Sequence, residues 1–124
     1  MTANLKEAVL AALAPIAADM AAVEKIIAAE MESDIPRVKE IGRYITSAGG
    51  KRMRPALLIL MARAMGDTSD NAPYFGAVIE ILHTATLMHD DVVDEGKMRR
   101  GRETANARWD NNQAVLVGDF LYTR

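Results

Sequence analysis

Residues 74–94 read YFGAVIEILHTATLMHDDVVD, and the predicted fold depends most on this segment. Pro73 precedes it, and proline is favoured in the first turn of a helix. The stretch is apolar on nearly every side until its last five residues, which include three aspartates. A helix that is apolar nearly all round is expected at the buried centre of a bundle. The sequence therefore predicts a long central helix with an acidic end.

Shorter helical segments precede and follow this central helix, separated by Gly and Pro at positions where helices commonly end and begin. Residues 95–103 carry two glycines and four cations and are predicted to form a loop. The predicted helices are 4–13, 15–31, one that starts near Pro36 and ends at Gly49 and Gly50, 56–65, 104–109, and one that starts near 113. No repeat or interior linker divides them, so we expect one all-α unit over residues 1–124.

The composition excludes several classes of protein. The chain has 15 Lys and Arg against 17 Asp and Glu, and a general nucleic-acid binder needs an excess of positive charge. It has no cysteine, which excludes disulfides, thiolate zinc sites and a cysteine nucleophile, and which is compatible with the cytoplasmic location that we expect. The longest apolar stretch, 8–18, is shorter than the about 20 residues that span a membrane.

The acidic end of the central helix is the first candidate site. Asp90 and Asp94 are four residues apart and share one helix face, and His83 lies two turns earlier on that face. Together with Asp91 these carboxylates repel one another where the helix dipole is also negative. A hard divalent cation such as Mg²⁺, which binds carboxylate and phosphate oxygens, would relieve this repulsion. The alternative is a solvated acidic helix end.

A basic segment follows at once, with cations at Lys97, Arg99, Arg100 and Arg102. Guanidinium groups offer the planar, bidentate donors that suit a diphosphate. Four cations in a loop are also an ordinary solvated surface. Their position directly after an acidic metal site favours the functional interpretation, because a metal and arginines can hold one diphosphate from two sides.

A third cluster, GGKRMRP at 49–55, combines glycines with cations at a predicted helix start. Gly49 and Gly50 allow the backbone to approach a ligand closely. Lys51 and Arg54 flank backbone N–H groups that already favour an anion. The segment is not a P-loop, because Arg52 stands where that motif has Ser or Thr. Taken alone, the segment is also explained as an ordinary helix end with surface cations and no ligand.

Glu80 and His83 have the spacing of a di-iron carboxylate site in a four-helix bundle. Such a site needs a second Glu-x-x-His motif. The other histidine, His89, has Thr86 three residues before it, so this interpretation is weak. A hydrogen-bonded core histidine is the remaining structural alternative for His83.

In this order along the chain, the three clusters closely resemble those of trans-polyprenyl diphosphate synthases, in particular the medium- and long-chain branch that includes octaprenyl diphosphate synthases. The similar motifs are GGKRMRP at 49–55, His83 with HDDVVD at 89–94, MRRGR at 98–102 and AVLVGDFLYTR at 114–124. The resemblance implies the N-terminal helices of the isoprenoid synthase bundle. It also implies Mg²⁺-dependent condensation of an allylic prenyl diphosphate with isopentenyl diphosphate, a homodimer, and a product that suits a quinone side chain.

The resemblance also implies a role for each charged residue. Asp90 and Asp94 match the catalytic carboxylates that hold Mg²⁺ on the allylic diphosphate, and Asp91 is a lesser candidate, either as a ligand or as a neighbour that supports the ligands. Arg99 matches the arginine that contacts the allylic diphosphate. The residues that match the isopentenyl diphosphate site are Lys51, Arg54, His83 and Arg100.

The residues that precede the acidic motif bear on product length. In this family, bulky side chains four and five residues before the first aspartate close the product tunnel. Ala85 and Thr86 occupy those positions here. Ala85 is small, so the resemblance implies a deep tunnel and a long product, with Leu87 and Met88 lining or flanking it.

A second aspartate-rich motif, which the family carries in its C-terminal half, is absent from this sequence. We therefore expect residues 1–124 to be a truncated, N-terminal part of a polyprenyl synthase domain and to lack prenyl transfer activity alone. The alternative is a non-catalytic interaction module or the regulatory subunit of a heteromeric synthase. Such a subunit has no need of Asp90, Asp94 and the Arg99–Arg100 pair.

Overall fold

The computed structural model describes residues 2–47 and 50–124 and confirms the all-α prediction. One short hairpin interrupts the helices. No helix in these two ranges is long and apolar enough to cross a bilayer. Gly49, predicted to end the third helix, lies outside the described residues. The elements are α1 (Thr2–Leu13), a 3-10 turn (Ala14–Ile16), α2 (Ala17–Glu30), α3 (Pro36–Ser47), α4 (Met53–Ala64), α5 (Asn71–Val93), β1 (Met98–Arg99), β2 (Arg102–Glu103), α6 (Ala105–Arg108) and α7 (Asn111–Tyr122).

The long helix α5 forms the centre of the packing and contacts α2, α4 and α7. Its buried side is built from small residues alternating with larger ones, which lets neighbouring helices approach closely. At Gly76 an added Cβ would lie 3.1 Å from the Cβ of Pro55 on α4. The apolar residues of α5 on its buried side are Ala72, Ala77, Ile81, Ala85 and Met88.

The opposite side of α5 is exposed, so the described part of the chain buries only one side of this helix. Phe75 is 53% exposed, and Ile79 and Leu82 are about equally open at 40% and 41%. Apolar composition predicts that a face tends to be covered, but it does not supply the neighbour that covers it. This exposed apolar face leads along α5 towards Asp90.

Side-chain caps fix the helices that follow the hairpin. Thr104 accepts a hydrogen bond from the N–H of Ala107 and starts α6 as predicted. Asp110 accepts from the N–H of Gln113 at 2.7 Å and starts α7. Capping residues of these types satisfy N–H groups that have no partner inside the helix. The caps therefore set where the chain leaves the hairpin and returns to α5.

Candidate functional site

The three carboxylates at the acidic end of α5 differ in how far they are buried. Asp90 and Asp94 are exposed, whereas Asp91 is only 9% exposed. Asp94 directly follows α5, and its N–H donates to the carbonyl of Asp90 at 2.8 Å, so the helical geometry continues to this residue. Among the described residues, no hydrogen bond or ion pair reaches the carboxylates of Asp90 and Asp94. The two predicted metal ligands are therefore presented together at the surface.

Asp91 has a different role, because its carboxylate is occupied by Arg99. The Nε and Nη2 atoms of Arg99 donate to the two carboxylate oxygens at 2.9 and 2.7 Å, a bidentate ion pair. This hydrogen bonding raises the pKa of Arg99, and the negative charges of Asp90 and Asp94 add to the effect. Asp91 thus anchors an arginine, which suits the role of a supporting neighbour better than that of a metal ligand, the two roles that the sequence left open.

The basic segment that carries Arg99 is a β-hairpin, where the sequence predicted a loop. Strands β1 and β2 pair antiparallel, with Met98 opposite Glu103 and Arg99 opposite Arg102. The two residues between the strands, Arg100 and Gly101, have positive φ angles of 53° and 75°. Two consecutive left-handed residues are typical of the tight type I′ turn, which matches the twist of a hairpin. The hairpin therefore points two consecutive arginines in different directions.

Arg100 lies across the start of α4, where a cleft brings together several predicted substrate-binding residues. Lys51, Arg54 and Arg100 all line it, and Lys51 and Arg54 are exposed. Gly50 lies directly against the guanidinium of Arg100, and a side chain at position 50 would displace that group. The cleft concentrates positive charge beside the N–H groups at the N-terminus of α4, where no side-chain cap is present. Both features favour an anion.

Arg52, inside the same segment, makes structural ion pairs that the sequence analysis missed. Its Nη1 donates to the buried carboxylate of Glu80 at 3.1 Å, its Nε to Glu24 at 2.6 Å and its Nη2 to the carbonyl of Thr46 at 3.0 Å. Burial alone would lower the pKa of Arg52, but the bonds to Glu24 and Glu80 outweigh it and raise that pKa. The sequence did offer a signal for this ion pair. Glu80 is a lone glutamate on an apolar helix face, and buried carboxylates are usually paired.

This ion pair also argues against the di-iron interpretation of Glu80 and His83. The carboxylate of Glu80 is 4% exposed and serves Arg52. Within residues 2–47 and 50–124, no three His, Asp or Glu side chains are grouped so as to hold a metal ion. Mg²⁺ needs fewer protein ligands, because it commonly takes one or two carboxylates together with water and phosphate oxygens. Asp90 and Asp94 fit that requirement.

His83 is half-buried on α5 and lies in the electrostatic field of the cleft. Burial lowers the pKa of its imidazole, and the positive charge of Arg54 lowers it further. Arg100 and Arg99 act in the same direction, and Glu80 opposes them. His83 is therefore neutral at pH 7, with one ring nitrogen able to donate and the other to accept a hydrogen bond.

The structure separates the two residues that were expected to bear on product length. Ala85 is fully buried in the helix packing, so its small side chain borders no open space among the described residues. Thr86 lies on the exposed side of α5, and its hydroxyl is 2.8 Å from the hydroxyl of Tyr122 on α7. Leu87 and Met88 line a small cavity beneath the arginine hairpin. The open path from Asp90 runs along Thr86, not along Ala85.

The helical arrangement is that of the isoprenoid synthases, and the family model for polyprenyl synthetases matches residues 35–124. The chain therefore belongs to the polyprenyl synthetase family, whose members are generally metal-dependent. It is 52% identical over 113 residues to an all-trans-nonaprenyl-diphosphate synthase of Rhodobacter capsulatus, covering 90% of this chain and 35% of that protein. It is also 52% identical over 108 residues to octaprenyl diphosphate synthase of Escherichia coli (strain K12), covering 87% of this chain and 33% of that one.

Two solved structures show the same fold. A decaprenyl diphosphate synthase from Rhodobacter capsulatus superposes with a TM-score of 0.86 at 47% identity, covering 90% of this chain and 35% of that one. A polyprenyl synthase from Caulobacter crescentus CB15, solved with calcium and isoprenyl diphosphate, gives a TM-score of 0.87 at 41% identity, covering 90% and 34%. The chain spans about a third of the length of the curated relatives it matches.

Replacing each aspartate at the end of α5 by asparagine should show that Asp91 contributes to stability and that Asp90 and Asp94 do not. We expect Asp91→Asn to lower the free energy of unfolding by about 1.5–3 kcal/mol, the range for hydrogen bonds to charged groups, because Arg99 loses its bidentate partner. The matched variants Asp90→Asn and Asp94→Asn should leave stability unchanged or raise it, since they remove repulsion at the negative helix end. Urea denaturation of the three variants measures this. An equal loss of unfolding free energy in all three variants would contradict this distinction between Asp91 and the two exposed aspartates.

The neutral state of His83 predicts a pH dependence of stability. In the unfolded chain His83 takes up a proton near its ordinary pKa of 6.5, whereas in the folded chain it does so only at lower pH. The unfolded state then binds more protons, so the free energy of unfolding should fall as the pH drops below about 6.5. His83→Gln should reduce this slope. An NMR titration of the His83 ring gives the midpoint directly, and a midpoint above 6.5 would contradict the assigned environment.

Proposed function

We propose that this chain supplies one part of the active site of a trans-polyprenyl diphosphate synthase, which condenses an allylic prenyl diphosphate with isopentenyl diphosphate to give a medium- or long-chain product. The observation that supports this most directly is the contrast among the three aspartates. Asp91 holds Arg99, while Asp90 and Asp94 stay exposed on the same helix end. Within the described residues the repulsion between these two carboxylates is not relieved by any ion pair, and a bound cation would relieve it.

The donor set at Asp90 and Asp94 suits Mg²⁺, which we propose as the metal. Bound there, Mg²⁺ would supply positive charge to the diphosphate that leaves the allylic substrate. Asp90 and Asp94 would hold this metal. Arg99 lies beside them and donates to its oxygens from the hairpin side. Charge that develops on the leaving group is thereby stabilised from two directions, which is the electrostatic form of catalysis.

Isopentenyl diphosphate belongs, in this proposal, in the cleft at the start of α4. Lys51, Arg54 and Arg100 line that cleft, and the electrostatic field of Arg54 and Arg100 reaches His83. The N-terminus of α4 adds uncapped N–H groups. A neutral His83 donates a hydrogen bond to a diphosphate oxygen without adding a further charge that the neighbouring cations would repel. The two diphosphates then lie on either side of the hairpin, with Arg99 serving one and Arg100 the other.

The reaction needs protection from water, because an allylic cation reacts with it readily. The face of α5 that leads away from Asp90 is open at Phe75, Ile79 and Leu82. We therefore propose that the 124-residue chain binds diphosphates but does not catalyse prenyl transfer alone. For the whole protein we propose a cytoplasmic homodimer that supplies a quinone side-chain precursor.

Ligand-dependent stability tests the proposal. We expect Mg²⁺ together with farnesyl thiodiphosphate to stabilise the chain, by about 2.7 kcal/mol at one hundred times the Kd, while either alone has a smaller effect. Asp90→Ala should abolish the cooperative part of this gain, because the metal loses a ligand. Asp34→Ala, a change at an exposed aspartate of the loop before α3, should behave like wild type. Thermal denaturation of the three proteins measures the gain.

A non-catalytic module or regulatory subunit gives a different result in the same experiment. Such a chain would show no stabilisation by Mg²⁺ and the thiodiphosphate together, or an equal stabilisation in wild type and Asp90→Ala. Either outcome would overturn the proposed function.

A further inference from the structure

The carbonyl of Gly96, at the base of the arginine hairpin, is held by two side chains at once. The hydroxyl of Thr104 donates to it at 2.8 Å, and Nδ2 of Asn106 donates to it at 2.9 Å. The N–H of Gly96 donates to the carbonyl of Asp91 at 2.8 Å. Both polar backbone atoms of this one residue are therefore fixed, one by α5 and the other by the start of α6.

These bonds close the hairpin at its base. The N–H of Thr104 donates to the carbonyl of Lys97 at 2.9 Å, which extends the pairing of β1 with β2. Nδ2 of Asn106 lies 3.4 Å from the carbonyl of Asp91, so the same amide spans the hairpin base and the last turn of α5. Oδ1 of Asn106 is buried and has no hydrogen-bond partner among the described residues. Asn106 thus serves this network only as a donor.

The position of the hairpin decides whether Arg99 reaches Asp91. Gly96 lies against that carboxylate, since an added Cβ would be 3.3 Å from Oδ1 of Asp91. Both guanidinium bonds of Arg99 are of normal length, so the present position of the hairpin base suits the bidentate pair. The neighbouring Arg100, held in a left-handed conformation, depends on the same base to reach Gly50.

We propose that Thr104 and Asn106 are positioning residues for diphosphate binding: by clamping the carbonyl of Gly96 they set the arginine hairpin relative to the aspartates of α5. This inference rests on the proposed function for the identity of the ligand. Thr104 is 1% exposed and touches no ligand itself. Its structural alternative is a simple helix cap, because the same hydroxyl accepts from the N–H of Ala107.

Thr104→Val removes both bonds of the hydroxyl and Thr104→Ser keeps both, so the two readouts below separate the positioning role from the capping role. The first readout is hydrogen exchange at Nε–H of Arg99, which donates to Asp91, followed by NMR. Arg63 is the internal control, since its Nε–H donates to Asp19 in a separate ion pair. We expect Thr104→Val to speed exchange at Arg99 by about 2- to 10-fold, the equivalent of one lost hydrogen bond, and to leave Arg63 unchanged.

The second readout is the Kd for pyrophosphate in the presence of Mg²⁺, measured by calorimetry. Thr104→Val should raise this Kd by about 2- to 10-fold, the equivalent of one lost hydrogen bond, and Thr104→Ser should restore it. Thr123→Val is the matched control, because the hydroxyl of Thr123 also donates to a backbone carbonyl, that of Phe120, at 2.8 Å. If Thr104→Val does not fold, Asn106→Ala takes its place, since it removes the donor to Gly96 and leaves the cap of α6 intact.

A role confined to helix capping gives a different pattern and overturns the proposal. Exchange at Arg99 and Arg63 would then rise together with the loss of global stability, and the Kd would not change. Failure of the wild-type chain to bind pyrophosphate would instead count against the proposed function. In that case, exchange at Arg99 still decides whether Thr104 positions the hairpin.

Discussion

The last turn of α5 concentrates three negative charges where the helix dipole is also negative, and the rest of the site depends on how this repulsion is relieved. Arg99 relieves it at Asp91 only, through a bidentate pair at 2.7 and 2.9 Å. Asp90 and Asp94 stay exposed, and no ion pair within the described residues neutralises them. A helix end in this state gains stability from a bound cation. The unfavourable local electrostatics and the proposed metal chemistry are therefore two consequences of one arrangement.

The same helix organises the cationic side of the site. Glu80, buried on α5, holds Arg52 and thereby fixes the segment in which Lys51 and Arg54 remain at the surface. Removing one partner of a buried ion pair is costly, because the other charge is left without compensation. Two buried carboxylates of α5 therefore hold the cationic segments in place: Glu80 binds Arg52 beside the cleft, and Asp91 binds Arg99 of the hairpin. Neither carboxylate needs to touch a substrate.

The sequence predicted the helices, including the start of α6 at Thr104, and the family, because helical periodicity, Gly and Pro punctuation and the order of motifs are all local signals. It missed the hairpin at 98–103, since strands of two residues are too short to show alternation. Spacing also does not reveal which carboxylate an arginine will bind, so Asp91 remained a lesser metal candidate until its pairing with Arg99 was visible. The link between Ala85 and product length stays a prediction, because side-chain size does not show whether a residue faces a tunnel or a neighbouring helix. The ligand roles of the charged residues stay predictions.

A crystal structure with Mg²⁺ and a non-hydrolysable allylic diphosphate tests the central claim most directly. We expect carboxylate oxygens of Asp90 and Asp94 to lie about 2.0–2.1 Å from the metal, the usual Mg²⁺–oxygen distance, with Asp91 still bound to Arg99. A metal on Asp91, or a diphosphate bound far from Asp90 and Asp94, would contradict it.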